Sequence, residues 1–229
     1  MSNHFQSTCW LQFKQVNSGN PKLARRAMNE ICTAYWQPLL HFAQSIGCSH
    51  EDAEDCVQGF LAMASSGEFF SGADPEKGRM RSFLLVTFRR YIYDEWRKSR
   101  AKKRGGGVAL LDFDDCNEPS PDSGPAVAYD QKWAVTVINT AKENLQTRYA
   151  SQGKEQIHRA LEPCIDGTPL EDFDVTAELL SLSPSALKAA VFRIRKRFGE
   201  EVRKAVAETV ANENDIDDEL SWLIEVLNK

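Results

Sequence analysis

Three groups of side chains in this sequence have types and spacings that could do chemistry. The first is the acidic run in SHEDAEDCVQGFLAM: Glu51, Asp52, Glu54 and Asp55, with Gln58 one turn further on. Paired carboxylates can hold Mg²⁺ when other ligands converge on them. They can equally offer acceptors to a basic protein surface. The second is RSFLLVTFRRYIYDEWRKSRAKKRGGG, residues 81–107, in which five aromatic and nine basic side chains share one segment. Arginine neutralises phosphate, and an aromatic ring stacks on an unpaired base for roughly 1–3 kcal/mol. The third is PSALKAAVFRIRKRF, where Lys188, Arg193, Arg195 and Lys196 surround Phe192. A cationic helix of this kind suits a major groove, which is wide enough to admit it.

Two further chemistries are weaker. Cys48, His50 and Cys56 are residue types that zinc accepts, but they sit at a helix start and the six cysteines contain no C-x-x-C pair. The acids of HEDAED also lie at a helix start, where the dipole already favours them. No serine–histidine–aspartate or phosphate-loop pattern accompanies them. A metal-dependent enzyme is therefore the poorest reading. No catalytic residue, cofactor or bound metal is expected.

Elements that would position these groups follow from caps and periodicity. Asn20-Pro21 reads as N-cap and first helical residue of a helix through about Ala34, with a second from Trp36 to Ile46 that stops at Gly47. Ser49 then caps a third, with Asp52 completing a box-like pattern. Ala53, Cys56, Val57, Phe60, Leu61 and Ala64 form its inner face, and Glu51, Glu54, Asp55 and Gln58 its outer one. Gly59 sits mid-helix at a cost of about 1 kcal/mol relative to alanine. GEFFSGADPEKGR reads as loop. In the next helix Leu84, Phe88, Tyr91 and Ile92 share the inner face. Val86, Arg90, Tyr93, Arg97 and Arg100 point outward, flanked by Arg89 and Trp96.

Residues 105–125 hold four glycines, three prolines and five acids, the composition of a flexible linker. Helical patterns resume near Ala128. In DVTAELLSLSPSALKAAVFRIRKRFGEEV a short helix ends near Leu180, a turn follows at Ser181–Leu182, and Ser183-Pro184 opens a second helix. Leu187, Val191, Ile194 and Phe198 are its buried seam. The architecture is expected to be all-α.

Charge supports the same division. The chain of 229 residues has a net charge of −5, yet residues 79–104 carry +8, residues 184–204 carry +5 and the remainder −18. Cationic islands in an anionic body attract a polyanion while limiting indiscriminate binding. No apolar run approaches the roughly 20 residues that span a bilayer, so no membrane insertion is expected. The first residues lack the order of a signal peptide, and the expected location is the cytoplasm.

The succession of acidic helix, aromatic–basic helix, acidic linker and basic helix-turn-helix resembles an RNA polymerase sigma factor of the sigma-70 family, of the compact extracytoplasmic-function type. EDAEDCVQGFL is similar to the region 2 motif that docks on the polymerase β′ clamp. RSFLLVTFRRYIYDEWRK is similar to the helix that melts and reads the −10 element, and AELLSLSPSALKAAVFRIRKRF to region 4, which reads the −35 element. The resemblance spans roughly Ala34 to Lys204. It implies a region 2-like domain over 1–104, a linker over 105–127, a region 4-like domain over 128–211 and an acidic tail over 212–229.

The partners it implies are core RNA polymerase, through the β′ clamp and β flap, and promoter DNA; an anti-sigma protein is left open. Polymerase docking would fall to Glu51, Asp52, Glu54, Asp55 and Gln58. Contacts at −10 would fall to Arg89, Arg90, Tyr93, Trp96, Arg97 and Arg100. Contacts at −35 would fall to Ser185, Lys188, Ala189, Phe192, Arg193, Arg195 and Lys196, with Arg193 the expected base reader. The chain departs from the family at three places. Arg90 replaces the usual asparagine, Gly59 stands where an acid is common, and Ser181 replaces the turn glycine. The competing reading is a helix-turn-helix regulator that binds operator DNA without polymerase. The tail, with Ile216, Leu220, Leu223, Ile224 and Leu227 on one stripe, reads as an amphipathic helix with an anionic outer face, either packed on the C-terminal domain or competing with DNA for the nearby basic recognition helix.

Overall fold

The computed structural model describes residues 16, 19–65, 79–103, 124–210 and 213–228, with side chains of the helix beginning at Met80 described through Ser99. The expected loop, except for Arg79, most of the expected linker, the N-terminal 15 residues and the Arg100 side chain lie outside the described residues. Among the described residues are eight α-helices and no strand, an all-α architecture. They are α1 (Pro21–Ser45), α2 (His50–Ala64), α3 (Met80–Lys103), α4 (Gly124–Ala150), α5 (Glu155–Leu161), α6 (Phe173–Leu179), α7 (Pro184–Ala207) and α8 (Ile216–Leu227).

The first two expected helices are one. Asn20 caps α1, its side-chain oxygen accepting from the Lys22 and Leu23 amides at 3.1 and 3.4 Å. The helix then continues past the expected break with Pro38 inside it. An interior proline forfeits a hydrogen bond and costs about 3 kcal/mol. Here Ile31 and Tyr35 before it, and Leu39 and Phe42 after it, are all buried, so burial on both sides outweighs that cost. Gly47, with φ of 99°, reverses the chain. Ser49 then caps α2, accepting from the Asp52 amide at 3.1 Å and donating to its carboxylate at 2.7 Å.

The chain divides into two compact units. The first contains residues Met1–Thr136 with Ala207–Lys229. Its core takes Ile31, Leu39 and Phe42 from α1, Val57 and Phe60 from α2, and Leu84, Phe88 and Ile92 from α3, all buried. Phe88 is central: its ring centroid lies 5.0 Å from that of Phe60 and 6.2 Å from that of Phe42.

The second unit contains Val137–Val206. Leu145 and Tyr149 of α4, Leu161 of α5, Ala177 of α6 and Leu187, Ala190 and Ile194 of α7 form its core. Val191 and Phe198, expected on the buried seam, are half-buried against that cluster. The unit's main ionic tie is Glu201, which accepts from Arg148 at 2.9 Å and from Lys204 at 3.0 Å.

The tail departs from expectation in place and in phase. Helix α8 belongs to the first unit rather than packing on the C-terminal one. Its buried face is Ile216, Glu219, Leu223 and Val226, while Ile224 is 59% exposed. A hydrophobic stripe alone would turn Ile224 inward. Two arginines, Arg79 and Arg81, instead draw Glu219 into the interior, at 2.8 and 2.7 Å, and this rotates the helix.

Candidate nucleic-acid interface

In the second unit, α6 and the part of α7 up to Val206 are two helices joined by a tight turn at residues 180–183. Asp172 caps α6, accepting from the Asp174 and Val175 amides at 3.1 and 3.0 Å. The helix closes with the Ser181 amide donating to the Glu178 carbonyl and the Leu182 amide to the Ala177 carbonyl, both at 2.9 Å. Ser181 itself has φ of 52°. This is the left-handed conformation that glycine adopts without penalty and other L-residues at roughly 1–2 kcal/mol. The Ser183 hydroxyl then accepts from the Ala186 amide at 3.3 Å and shares a 3.1 Å hydrogen bond with the Ser185 hydroxyl.

The second helix presents the expected face to solvent. Ser185, Lys188, Ala189, Phe192, Arg193, Arg195 and Lys196 are all exposed. Phe192 is 69% exposed, an aromatic ring standing among cations. Arg195 differs from its neighbours, because its Nε donates to the Cys164 carbonyl at 2.7 Å. The sequence offered no sign that Val175 and Leu179 on α6 would be exposed, at 59% and 72%. Acidic neighbours Asp174 and Glu178 flank them, so this first helix is poorly suited to a phosphate backbone.

In the first unit, α3 carries the aromatic–basic face. Arg90 and Arg97 are exposed, and Arg89, Tyr93 and Trp96 are half-buried. Tyr93 and Trp96 pack edge to face, with centroids 5.7 Å apart and planes at 78°. Arg97 lies 3.8 Å from Asp94, and Lys98 lies 2.8 Å from Glu95. Both pairs are on the surface, where such contacts hold side chains weakly and leave the cations able to meet phosphate. Tyr91, expected in the core, is only half-buried. Arg81, which the sequence counts within the cationic island, is buried and ion-paired.

On α2 the acids Glu51, Asp52, Glu54 and Asp55 and the amide Gln58 are all exposed. Asp52 is engaged by Ser49 as described. Glu54 lies 3.4 Å from His50 Nε2, whose Nδ1 faces the Gln44 amide at 2.9 Å. Both His50 nitrogens therefore have neighbours that are not thiols. Burial pushes the Cys48 thiol up to about 11, helped by the charges of Cys56 and Asp52. No three His, Cys, Asp or Glu side chains among the described residues come close enough together to hold a metal. An open groove of about 460 Å³ between α1 and α4 is lined by His41, Gln44, Gln131 and Lys132 among others. Its polar side chains are two amides, one imidazole, one ammonium and the Ser45 hydroxyl, which donates to the Phe42 carbonyl at 2.7 Å; none is a carboxylate.

No helix among the described residues is long and apolar enough to cross a membrane. No protein-family model, no curated protein and no solved structure matches the chain.

Proposed function

We propose that this protein is a sigma-type specificity subunit that binds core RNA polymerase and directs it to promoter DNA. The observation that carries the reading is the second helix of the helix-turn-helix. It displays Lys188, Phe192, Arg193 and Lys196 on one exposed face above a buried seam of Leu187, Ala190 and Ile194. In this role α7 enters the major groove at the −35 element. Arginine is suited to bridging two guanine acceptors there, and the lysines anchor phosphates.

The first unit supplies what a simple operator-binding regulator would not need. Its α3 face combines Arg90 and Arg97 with the Tyr93–Trp96 pair, groups able to hold phosphates and receive unstacked bases at −10. Its α2 face offers exposed carboxylates to a basic surface of the polymerase clamp, where charge complementarity sets on-rate and register.

The experiment is co-purification with core RNA polymerase followed by run-off transcription from promoters selected out of a random library. Capture together with promoter-dependent transcripts supports the proposal. Sequence-specific DNA binding without polymerase capture would instead indicate the helix-turn-helix regulator. Neither activity would sink both readings.

A further inference from the structure

Arg81, in the first turn of α3, is 6% exposed. Its Nε donates to Glu219 Oε1 at 2.7 Å and its Nη2 to Oε2 at 3.4 Å. Its Nη1 donates to Asp130 Oδ1 at 3.3 Å. Arg79 reaches the same Glu219 carboxylate at 2.8 Å. The Arg81 guanidinium lies 3.3 Å from the centroid of Trp222 and 5.4 Å from that of Trp133. The Tyr129 hydroxyl donates to the Arg81 carbonyl at 3.0 Å. Three stretches far apart in sequence thus meet around one cation, all within the first unit.

We infer that α8 is a positioning element for α3: Glu219 and Trp222, acting through Arg81, set the rotation and axial placement of the helix that carries Arg90, Tyr93, Trp96 and Arg97. This rests on the reading of the first unit as the part that opens promoter DNA. The physical argument compares two kinds of contact. Phe88 holds the middle of α3 by apolar packing, which is strong but non-directional. A two-pronged arginine–carboxylate pair laid over the Trp222 ring fixes direction as well as distance. A buried ion pair adds little stability over an apolar replacement, so its distinctive contribution is orientation. With a rise of 1.5 Å per residue, Trp96 lies about 22 Å along the axis from Arg81. A small tilt or rotation at the start therefore displaces the aromatic pair where bases would be received.

The test uses the full-length chain in holoenzyme with core RNA polymerase. Glu219→Gln keeps the shape and removes the charge, Glu219→Asp keeps the charge one methylene back, and Trp222→Phe keeps a ring. Permanganate reactivity of the −10 region should fall about tenfold or more in Glu219→Gln, with Glu219→Asp and Trp222→Phe recovering part of it. Capture of core polymerase, which needs a folded α2, should stay near wild type.

Wild-type opening by Glu219→Gln, or equal loss of opening and polymerase capture, overturns the inference; the second outcome would mean plain unfolding. If the wild-type protein itself opens no promoter, the proposed function fails instead. Hydrogen exchange then decides the positioning claim: Glu219→Gln must speed exchange along α3, and unchanged exchange rejects it.

Discussion

Tyr91 of α3 lays its hydroxyl directly over Gly59 of α2, so close that a β-carbon at position 59 would overlap it. The Tyr91 ring is held there by Phe60, at 5.8 Å between centroids. A mid-helix glycine that costs about 1 kcal/mol in propensity is thereby explained as the floor of a helix–helix contact.

The two residues should therefore be coupled. Gly59→Ala in the wild-type chain must displace the hydroxyl and is expected to destabilise or leave stability unchanged. In a Tyr91→Phe background the obstructing oxygen is gone, and the same substitution should stabilise by up to about 1 kcal/mol. A double-mutant cycle by urea denaturation checks this. Additive effects would mean that the contact does not constrain position 59.

Ser181 holds a left-handed conformation without being glycine. Ser181→Gly should stabilise the second unit by roughly 0.5–1 kcal/mol, the relief of backbone strain less the extra entropy of an unfolded glycine. Chemical denaturation monitored in the second unit measures it. A loss of stability would show that the serine side chain contributes more than the strain removes.

The cations of α7 should separate into three behaviours. Lys196→Ala should weaken all DNA sequences alike and lower the salt slope by about one. Arg193→Ala should relax sequence preference by about 1–3 kcal/mol. Arg195→Ala removes a charge-assisted hydrogen bond to the Cys164 carbonyl and should lower stability by about 1–2 kcal/mol. Fluorescence anisotropy over a promoter panel, with melting curves, distinguishes them. A common effect of all three would dissolve the distinction between readers, anchors and supports.

The acidic face of α2 should govern polymerase capture. Asp55 is exposed on α2, so Asp55→Arg should leave the melting temperature nearly unchanged while reversing the local charge offered to the clamp. Pull-down of core enzyme should drop clearly. Retention equal to wild type would remove α2 from the docking surface.

Cys48 supplies a pH dependence. Its thiol is pushed up to about 11 from an ordinary 9.0, first by burial. At pH 8 its alkylation should be about a hundredfold slower than that of a free cysteine. Because the folded chain holds this proton more tightly than the unfolded one, the group's contribution to stability is complete below pH 9.0. It is lost as pH rises from there towards 11. Mass-spectrometric alkylation rates across that range check the order, and rapid labelling at neutral pH would contradict it.

Caps, turns and helical faces were legible in the sequence because they depend on neighbours three or four positions away. Asn20, Ser49 and Ser183 cap where their spacing indicates, and Leu84, Phe88 and Ile92 are buried as their period requires. Local pattern also separated the exposed cations of α7 from its apolar seam. What only the tertiary structure decided involves residues distant in the chain. Pro38 stays inside one helix because buried side chains flank it on both sides, which propensity cannot weigh. Arg81 looks like one more cation in a basic island until Glu219, 138 residues away, turns inward to meet it. The tail's hydrophobic period pointed Ile224 to the core, but a buried charge needs its counter-charge more than one isoleucine needs burial. The rotation of α8 followed the ion pair.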